Sequence, residues 1–259
     1  MSKSTIKYGD MFQLGAHKLL CGDCCDLKLI QPFLGSDSIS LLLSDPPYSI
    51  NYVAGKKGFT QSKQVHKNIQ NDHLQSDDEY RNFSRTWIEA ALPSFATKNA
   101  VYIFNSDKMM VPLILGMRDA GCHFAQLLIW VKTAAVIGRL DYIPQHELLI
   151  YGWYGRHAFQ KSKDKSVLVC PKTKKNSLHP TMKPISLLRR LILNSSKVGD
   201  IIYDPFGGSG STLIAAEQTK RRCVMVEIDP QYCQVIIDRF EKLTGKKAKK
   251  ISIPQITHV

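Results

Sequence analysis

The sequence predicts an α/β protein built on a parallel or mixed sheet covered by helices on both faces. Three observations carry that expectation. Short runs rich in β-branched and aromatic residues alternate with helical stretches along most of the chain, as parallel strands and crossover helices do. One strand runs into a glycine-rich loop that opens a helix, over Asp204 to Thr212, the context that cradles nucleotide-like ligands. A chain of 259 residues, 44% hydrophobic and 22% charged, has an ordinary globular composition and the length for one sizeable core. One domain over residues 1–259 is expected.

Each element has its own signal. Ile39 to Leu43 reads as a short buried strand, followed by Pro46 and Pro47, which cannot continue a ladder. Further strands are expected over Ala100 to Asn105, Phe124 to Lys132, His146 to Tyr154, Asp200 to Phe206 and Arg222 to Asp229. Helices are expected over Asp77 to Ala96, Ser106 to Ala120 with Gly121 as a stop, Pro184 to Ser196, Ser211 to Lys220 and Pro230 to Leu243. The last is well punctuated: Asp229 as N-cap, Pro230 as first helical residue and Gly245 past the end. Two polar segments break the alternation. One, about 53–72, follows the first strand's turn and is expected to be a mobile loop beside a site, bringing Lys56 and Lys57 with it. The other, about 155–178, carries Arg156, Lys172, Lys174 and Lys175 against a single Asp164; phosphate contact and a solvated loop both fit its composition. The run Lys246 to Lys250 reads by default as a frayed basic tail.

Charge is the unusual part of the composition. Lys plus Arg number 35 against 22 Asp plus Glu, a net +13, which favours a polyanionic partner such as nucleic acid. No spanning-length apolar run and no signal-peptide core are present, so a cytoplasmic protein without membrane partners is expected. The seven cysteines are scattered and expected to be reduced. Cys21, Cys24 and Cys25 hint at a metal, but no second pair stands at zinc spacing, so none is expected.

Two motifs carry chemistry. Asp45-Pro46-Pro47-Tyr48 ends the first expected strand, at the sheet edge where open α/β folds bind ligands. The prolines hold the Asp45 side chain and the Pro46 carbonyl in one arrangement, two acceptors suited to an amino group with two hydrogens. Tyr48 offers a ring face on which a heterocycle can stack, worth about 1 to 3 kcal/mol per base. A plain turn with a core tyrosine is the alternative. The second motif, Asp204-Pro205-Phe206-Gly207-Gly208-Ser209-Gly210-Ser211-Thr212, lacks the lysine of a phosphate loop and the third glycine of the dinucleotide fingerprint, where Leu213 stands instead. It therefore disfavours a nucleoside-triphosphate hydrolase and an NAD enzyme. Glu227, at the end of the next expected strand, could accept hydrogen bonds from the hydroxyls of an adenosine ribose or merely cap a turn.

Taken together, the two motifs resemble the S-adenosylmethionine-dependent amino-group DNA methyltransferases (N6-adenine or N4-cytosine). Their order, catalytic motif before cofactor loop, resembles the circularly permuted β class. The resemblance runs from about Gly22 to Leu243 and includes Cys21-Gly-Asp-Cys24 and His179-Pro-Thr-Met-Lys-Pro184. It implies a doubly wound, mixed seven-stranded sheet with one strand near residues 17 to 22 at an edge. It implies S-adenosylmethionine as cofactor, with Asp204, Phe206, Gly207, Gly208, Gly210 and Thr212 around its methionine and ribose and Glu227 on the ribose. Asp23 and Cys24 would lie near its adenine, and His179, Lys183 and Ser186 at its amino-acid end. Asp45, Pro46, Pro47 and Tyr48 would be catalytic. Lys56, Lys57, Arg156, Lys172, Lys174 and Lys175 would contact double-stranded DNA, and a homodimer is an expectation from relatives. Carbon methylation of cytosine is disfavoured by the lack of a Pro-Cys nucleophile; Cys170-Pro171 has the reverse order. Adenine is favoured over cytosine because related cytosine enzymes more often carry Ser at the place of Asp45. A non-catalytic nucleic-acid-binding protein that keeps the fold, and an enzyme acting on structured RNA, are the rivals.

Overall fold

The structure, a computed structural model, describes residues 6–49, 76–135, 141–160, 164–171 and 182–252. The expected loop at 53–72 with Lys56 and Lys57, and Lys172, Lys174, Lys175 and His179, lie outside the described residues. In chain order the elements begin with β1 (Met11–Leu14), β2 (His17–Cys21), α1 (Leu27–Leu34), β3 (Ile39–Ser44), α2 (Asp77–Ala91) and β4 (Phe95–Asn105). Next come α3 (Met110–Asp119), β5 (Cys122–Val131), β6 (His146–Tyr154), β7 (Arg156–His157) and β8 (Val167–Val169). The chain continues through α4 (Ile185–Ser195), β9 (Ile201–Asp204), α5 (Ser211–Gln218), β10 (Arg222–Glu227), α6 (Pro230–Thr244) and β11 (Lys249–Ile251).

One mixed sheet runs β11-β1-β2-β10-β9-β3-β4-β6-β5-β8, with the short β7 paired to β4. Its centre, from β2 through β10, β9 and β3 to β4, is parallel, and β6 enters antiparallel between β4 and β5. The seven strands from β2 to β5 are the doubly wound sheet that the sequence predicts; β1, β11 and β8 extend it. Alternation along the strands divides the core. On β3, Leu41 and Leu43 face α4, α5 and α6, packing with Leu187, Leu191, Ile214 and Phe240, while Ile39 and Leu42 face α1, α2 and α3, packing with Phe33, Trp87, Ile88 and Leu113. Burial on both faces is why these strands read as continuous apolar runs.

Several expected boundaries move, each for a local reason. The helix expected to reach Ala96 stops at Ala91, where Leu92–Ser94 turns as a 3-10 segment around Pro93 and β4 begins at Phe95. The helix expected from Ser106 starts at Met110. The Asn105 side chain accepts from Ser106 N at 2.8 Å, and Ser106 Oγ accepts from Met109 N at 3.4 Å, side-chain turns that compete with helical bonding. The strand near residues 17 to 22 is not at an edge, because β2 sits between β10 and β1. The frayed tail is a strand: β11 pairs with β1, and Lys250 reaches Asp10 at 2.7 Å. Within the 155–178 segment, β7 and β8 are ordered, and Asp164 is gripped by Arg190 and, at 2.6 Å, by Asn194. Helix α1, with Asp26 as N-cap, is an element the sequence reading lacked.

Candidate active site

Four neighbouring parallel strands each end at an acid. In sheet order, Asp23 follows β2, Glu227 ends β10, Asp204 ends β9 and Asp45 follows β3. Parallel direction puts all four at one edge, the carboxyl end where α/β folds take ligands.

The glycine loop sits between β9 and α5 in the middle of that edge. Gly208 and Gly210 have φ of 51° and 80°, left-handed values that glycine adopts without strain. The Gly208 N–H donates to Glu227 Oε2 at 2.6 Å, and Asp229 N donates to the other oxygen at 2.9 Å. Gly207 N bonds the Val226 carbonyl at 2.8 Å, and a Cβ there would come within 2.8 Å of the Met225 side chain. Gly22 N bonds the Glu227 carbonyl at 3.0 Å, bringing Asp23 and buried Cys24 beside the same loop. The Asp23 carboxylate accepts from Cys25 N at 2.9 Å. Phe206 packs edge-on against Trp87 of α2 at 5.3 Å, and its N–H donates to Asp204 at 3.1 Å. Burial pushes the Asp204 carboxyl up to about 8 despite the Thr212 hydroxyl on it, and burial pushes Glu227 up to about 7 despite its backbone donors. Arg239 of α6, which the sequence reading missed, clamps the loop through the Ser209 carbonyl and, at 3.1 Å, the Ser209 hydroxyl.

At the adjacent strand end, Asp45 stands in a charge cluster. Lys183 Nζ lies 2.6 Å from Asp45 Oδ2, and the Tyr48 hydroxyl donates to Oδ1 at 2.7 Å. Lys183 also reaches the Tyr48 oxygen at 3.1 Å and Glu147 Oε2 of β6 at 3.2 Å, and Lys132, just past β5, holds Glu147 Oε1 at 2.9 Å. Burial raises the Asp45 carboxyl above its ordinary range, outweighing the pull of Lys183. Burial acts likewise on Glu147, but there the two ammoniums win and hold it below the usual glutamate range. Lys183, almost fully buried, is kept charged by the two carboxylates, which outweigh its burial. Its ammonium lies 5.3 Å from the Tyr48 ring centroid and 5.0 Å from that of Phe104.

The turn itself is pinned from α2. The Tyr80 hydroxyl donates to the Pro47 carbonyl at 2.9 Å and receives Asn105 Nδ2 at 3.1 Å. Among the described residues, the Pro46 carbonyl takes no hydrogen bond. A half-buried carboxylate and, on the next residue, a carbonyl without a hydrogen-bond partner among the described residues thus stand at the edge, with Pro46 itself buried.

The structure therefore gathers Asp45, Pro46, Pro47, Tyr48, Asp204, Phe206, Gly207, Gly208, Gly210, Thr212, Glu227, Asp23 and Cys24 along one edge. Lys183 joins Asp45. Ser186 is exposed near the start of α4, its hydroxyl 3.2 Å from Cys170 Sγ. Arg156 is elsewhere: β7 pairs with the start of β4 at Lys98 and Asn99, the opposite edge of the sheet. Glu147, Lys132, Tyr80 and Asn105 were missed, having no local motif; strand register brings Glu147 and Lys132 to Lys183, and helix packing brings Tyr80, with Asn105 on it, to Pro47. Asp23, Cys24 and Cys25 bring three donor atoms within 4.8 Å of one another, a set smaller than the four ligands of a structural zinc site.

Among known proteins, the family model described as DNA methylase, covering N6 and N4 enzymes, matches residues 39–238. The type II methyltransferase M.HpaI of Haemophilus parainfluenzae is 25% identical over 86% of this chain and 74% of its own length. M2.DpnII of Streptococcus pneumoniae is 27% identical over 79% of this chain and 83% of its own. Of solved structures, the M1.HpyAVI–SAM complex superposes with a TM-score of 0.62 at 20% identity, covering 85% of this chain and 98% of that one. The PvuII DNA methyltransferase, described as cytosine-N4-specific, gives 0.67 at 17% identity over 88% and 90%. Among the described residues, no helix is long and apolar enough to cross a membrane.

Proposed function

The chain belongs to the N6/N4 DNA methylase family, and from that premise we propose that it methylates the exocyclic N6 amine of adenine in specific sequences of double-stranded DNA. The methyl donor of this family is S-adenosylmethionine, which supplies an activated methyl group on a sulfonium. The chain's residues fit such a cationic, adenosine-bearing group. Asp204 and Glu227 are buried carboxylates at the ends of the two strands that flank the glycine loop, and Asp23 and Cys24 lie along the same edge. Glu227 would hold the ribose, with Asp204, Phe206, Gly207, Gly208, Gly210 and Thr212 around the rest; Ser186 and His179 belong to the amino-acid end.

The observation that carries the reading is the pairing of the Asp45 carboxylate with the Pro46 carbonyl, which takes no hydrogen bond among the described residues, at the strand end next to the glycine loop. An aromatic amine is a poor nucleophile because its lone pair is delocalised into the ring. Two acceptors that take both amine hydrogens localise that pair and aim it at the methyl group, so positioning and electrostatics carry the rate. The cofactor would supply the methyl group from its sulfonium, and the Asp45 carboxylate would take the proton that the amine gives up. The base must leave the duplex stack, at a cost of a few kcal/mol. With Lys183 against the Tyr48 ring, the other ring face is the one on which a flipped base would stack.

Cytosine N4 presents the same kind of amine, and the similarity to an enzyme described as cytosine-N4-specific makes it the second reading. Incubation with methyl-labelled cofactor and unmodified DNA, followed by nucleoside analysis, decides between them. N6-methyladenine is expected; N4-methylcytosine would replace the substrate assignment, and no label in any DNA would defeat the activity. Asp45→Ala should abolish transfer while leaving cofactor affinity nearly intact, because the acceptors touch the base. Equal loss of both would move Asp45 to the cofactor.

A further inference from the structure

Both oxygens of the Asp45 carboxylate already hold donors, Lys183 Nζ at 2.6 Å and the Tyr48 hydroxyl at 2.7 Å. A neutral aromatic amine is a weaker donor than an ammonium. It would meet an acceptor whose charge is committed. The ammonium has a second carboxylate within reach, however: Glu147 Oε2 is 3.2 Å away, and the other Glu147 oxygen is fixed by Lys132 at 2.9 Å. Lys183 thus spends its three hydrogens on Asp45, Glu147 and the Tyr48 oxygen and bridges two acids.

We propose that Glu147, anchored by Lys132, is a positioning residue for methyl transfer: it competes with Asp45 for the Lys183 ammonium and so frees the Asp45 carboxylate to accept the target amine. The inference rests on Asp45 being the acceptor of that amine. Two carboxylates and two ammoniums balance within the cluster, so a shift of Lys183 from one acid to the other changes no net charge. Both ammoniums are buried, at 7% and 5% exposed for Lys183 and Lys132, so each needs a carboxylate beside it at every stage; Asp45 and Glu147, at 29% and 21%, are partly open. The other ionisable groups about Asp45 are Tyr48 on its own turn, Asp204 at the end of β9, and Tyr80 of α2, whose hydroxyl is on Pro47. The two tyrosines carry no carboxylate, and among the described residues Lys183 pairs with Asp45 and Glu147 and not with Asp204.

The two acids can be separated by variants with opposite expected signs. In Glu147→Gln the ammonium settles on Asp45, and the like charge of Glu147 is gone. The Asp45 carboxyl titration, followed by carbon-13 NMR, then moves down by about one pH unit. The acid limb of the kcat profile follows it, and kcat falls by at least about tenfold with cofactor affinity unchanged. In Lys132→Met, Glu147 has only Lys183 to hold, and the same titration moves up. A merely structural part for Glu147 would lower kcat without moving the Asp45 titration, or move it the same way in both variants; either result overturns the proposal. Should Glu147→Gln fail to fold, Lys132→Met decides alone: an upward shift supports the competition, and none or a downward one ends it. A wild-type protein that labels no DNA would refute the proposed activity, whereas the Asp45 titration would still report on the competition.

Discussion

Asp204 and Glu227 illustrate how a single side chain's surroundings set its chemistry. Each is a carboxyl at a strand end, each is nearly buried, and burial pushes their pKa values up to about 8 and about 7. The sign for the free protein follows from linkage. A carboxyl raised from its unfolded value near 4 contributes stability that is complete below that value and is lost as pH rises through 7 and 8. A sulfonium bound beside them would favour their ionised forms and release protons. Cofactor affinity should therefore rise as pH goes up to about 8 and level off above it, by up to about tenfold per pH unit for each proton released, while the melting temperature of the free protein declines from about pH 4 to about 8. Calorimetric titration in two buffers of different ionisation enthalpy reads both the affinity and the proton count. An affinity that is flat across that window, with no protons released, would place the cofactor's charge away from these two acids.

Elements transmit such local demands. Helix α2 presents Tyr80 to the Pro47 carbonyl and Trp87 to Phe206, so it supports both motifs at once. Its own start is fixed by Ser76 and Glu79, which cap each other's backbone N–H, an arrangement worth about 1 kcal/mol. It packs on α3 so closely that a Cβ at Gly116 would lie 2.4 Å from the Arg81 carbonyl and 2.8 Å from Ser84 Cβ. Gly116→Ala should cost about 1–3 kcal/mol of stability by forcing the helices apart, and methyl transfer should drop with it as Tyr80 withdraws from Pro47. An unchanged denaturation midpoint would contradict this packing. The same level explains what the sequence could reveal. Asp45 to Tyr48 and Asp204 to Thr212 were legible because each gathers its chemistry within a few consecutive residues at a strand end. Strands buried on both faces were legible as apolar runs. Glu147 and Lys132 were not: each is a charged residue beside an apolar strand, and only the antiparallel insertion of β6 between β4 and β5 carries them to Lys183. Nor was β11 legible, since the consecutive lysines Lys249 and Lys250 on an edge strand resemble a solvated tail.

At the scale of the whole molecule, the question is where a net charge of +13 meets the duplex. Strand direction constrains the answer. The four strand-end acids, Lys132 and Glu147 share the carboxyl edge of the central strands, while β6 runs away from that edge and delivers Arg156 to the far side, against Lys98. The chain then returns: β8 runs parallel to β5, with Val169 opposite Val131 and Cys170 N on the Val131 carbonyl at 3.1 Å. Pro171, the last described residue there, stands at the catalytic edge, one position before Lys172. A duplex seated over Asp45 would meet the edge at which Pro171 stands, whereas Arg156 lies at the opposite edge. Each phosphate that the protein ceases to neutralise flattens the dependence of log K on log salt by about 0.9. Replacing the three lysines with alanine should therefore reduce that slope by up to about 2.7, whereas Arg156→Ala should leave it unchanged. Fluorescence anisotropy with a labelled duplex across a range of salt concentrations measures both variants. A slope that falls for Arg156→Ala and holds for the triple variant would mean that DNA wraps the amino-terminal edge of the sheet rather than the edge that carries the chemistry.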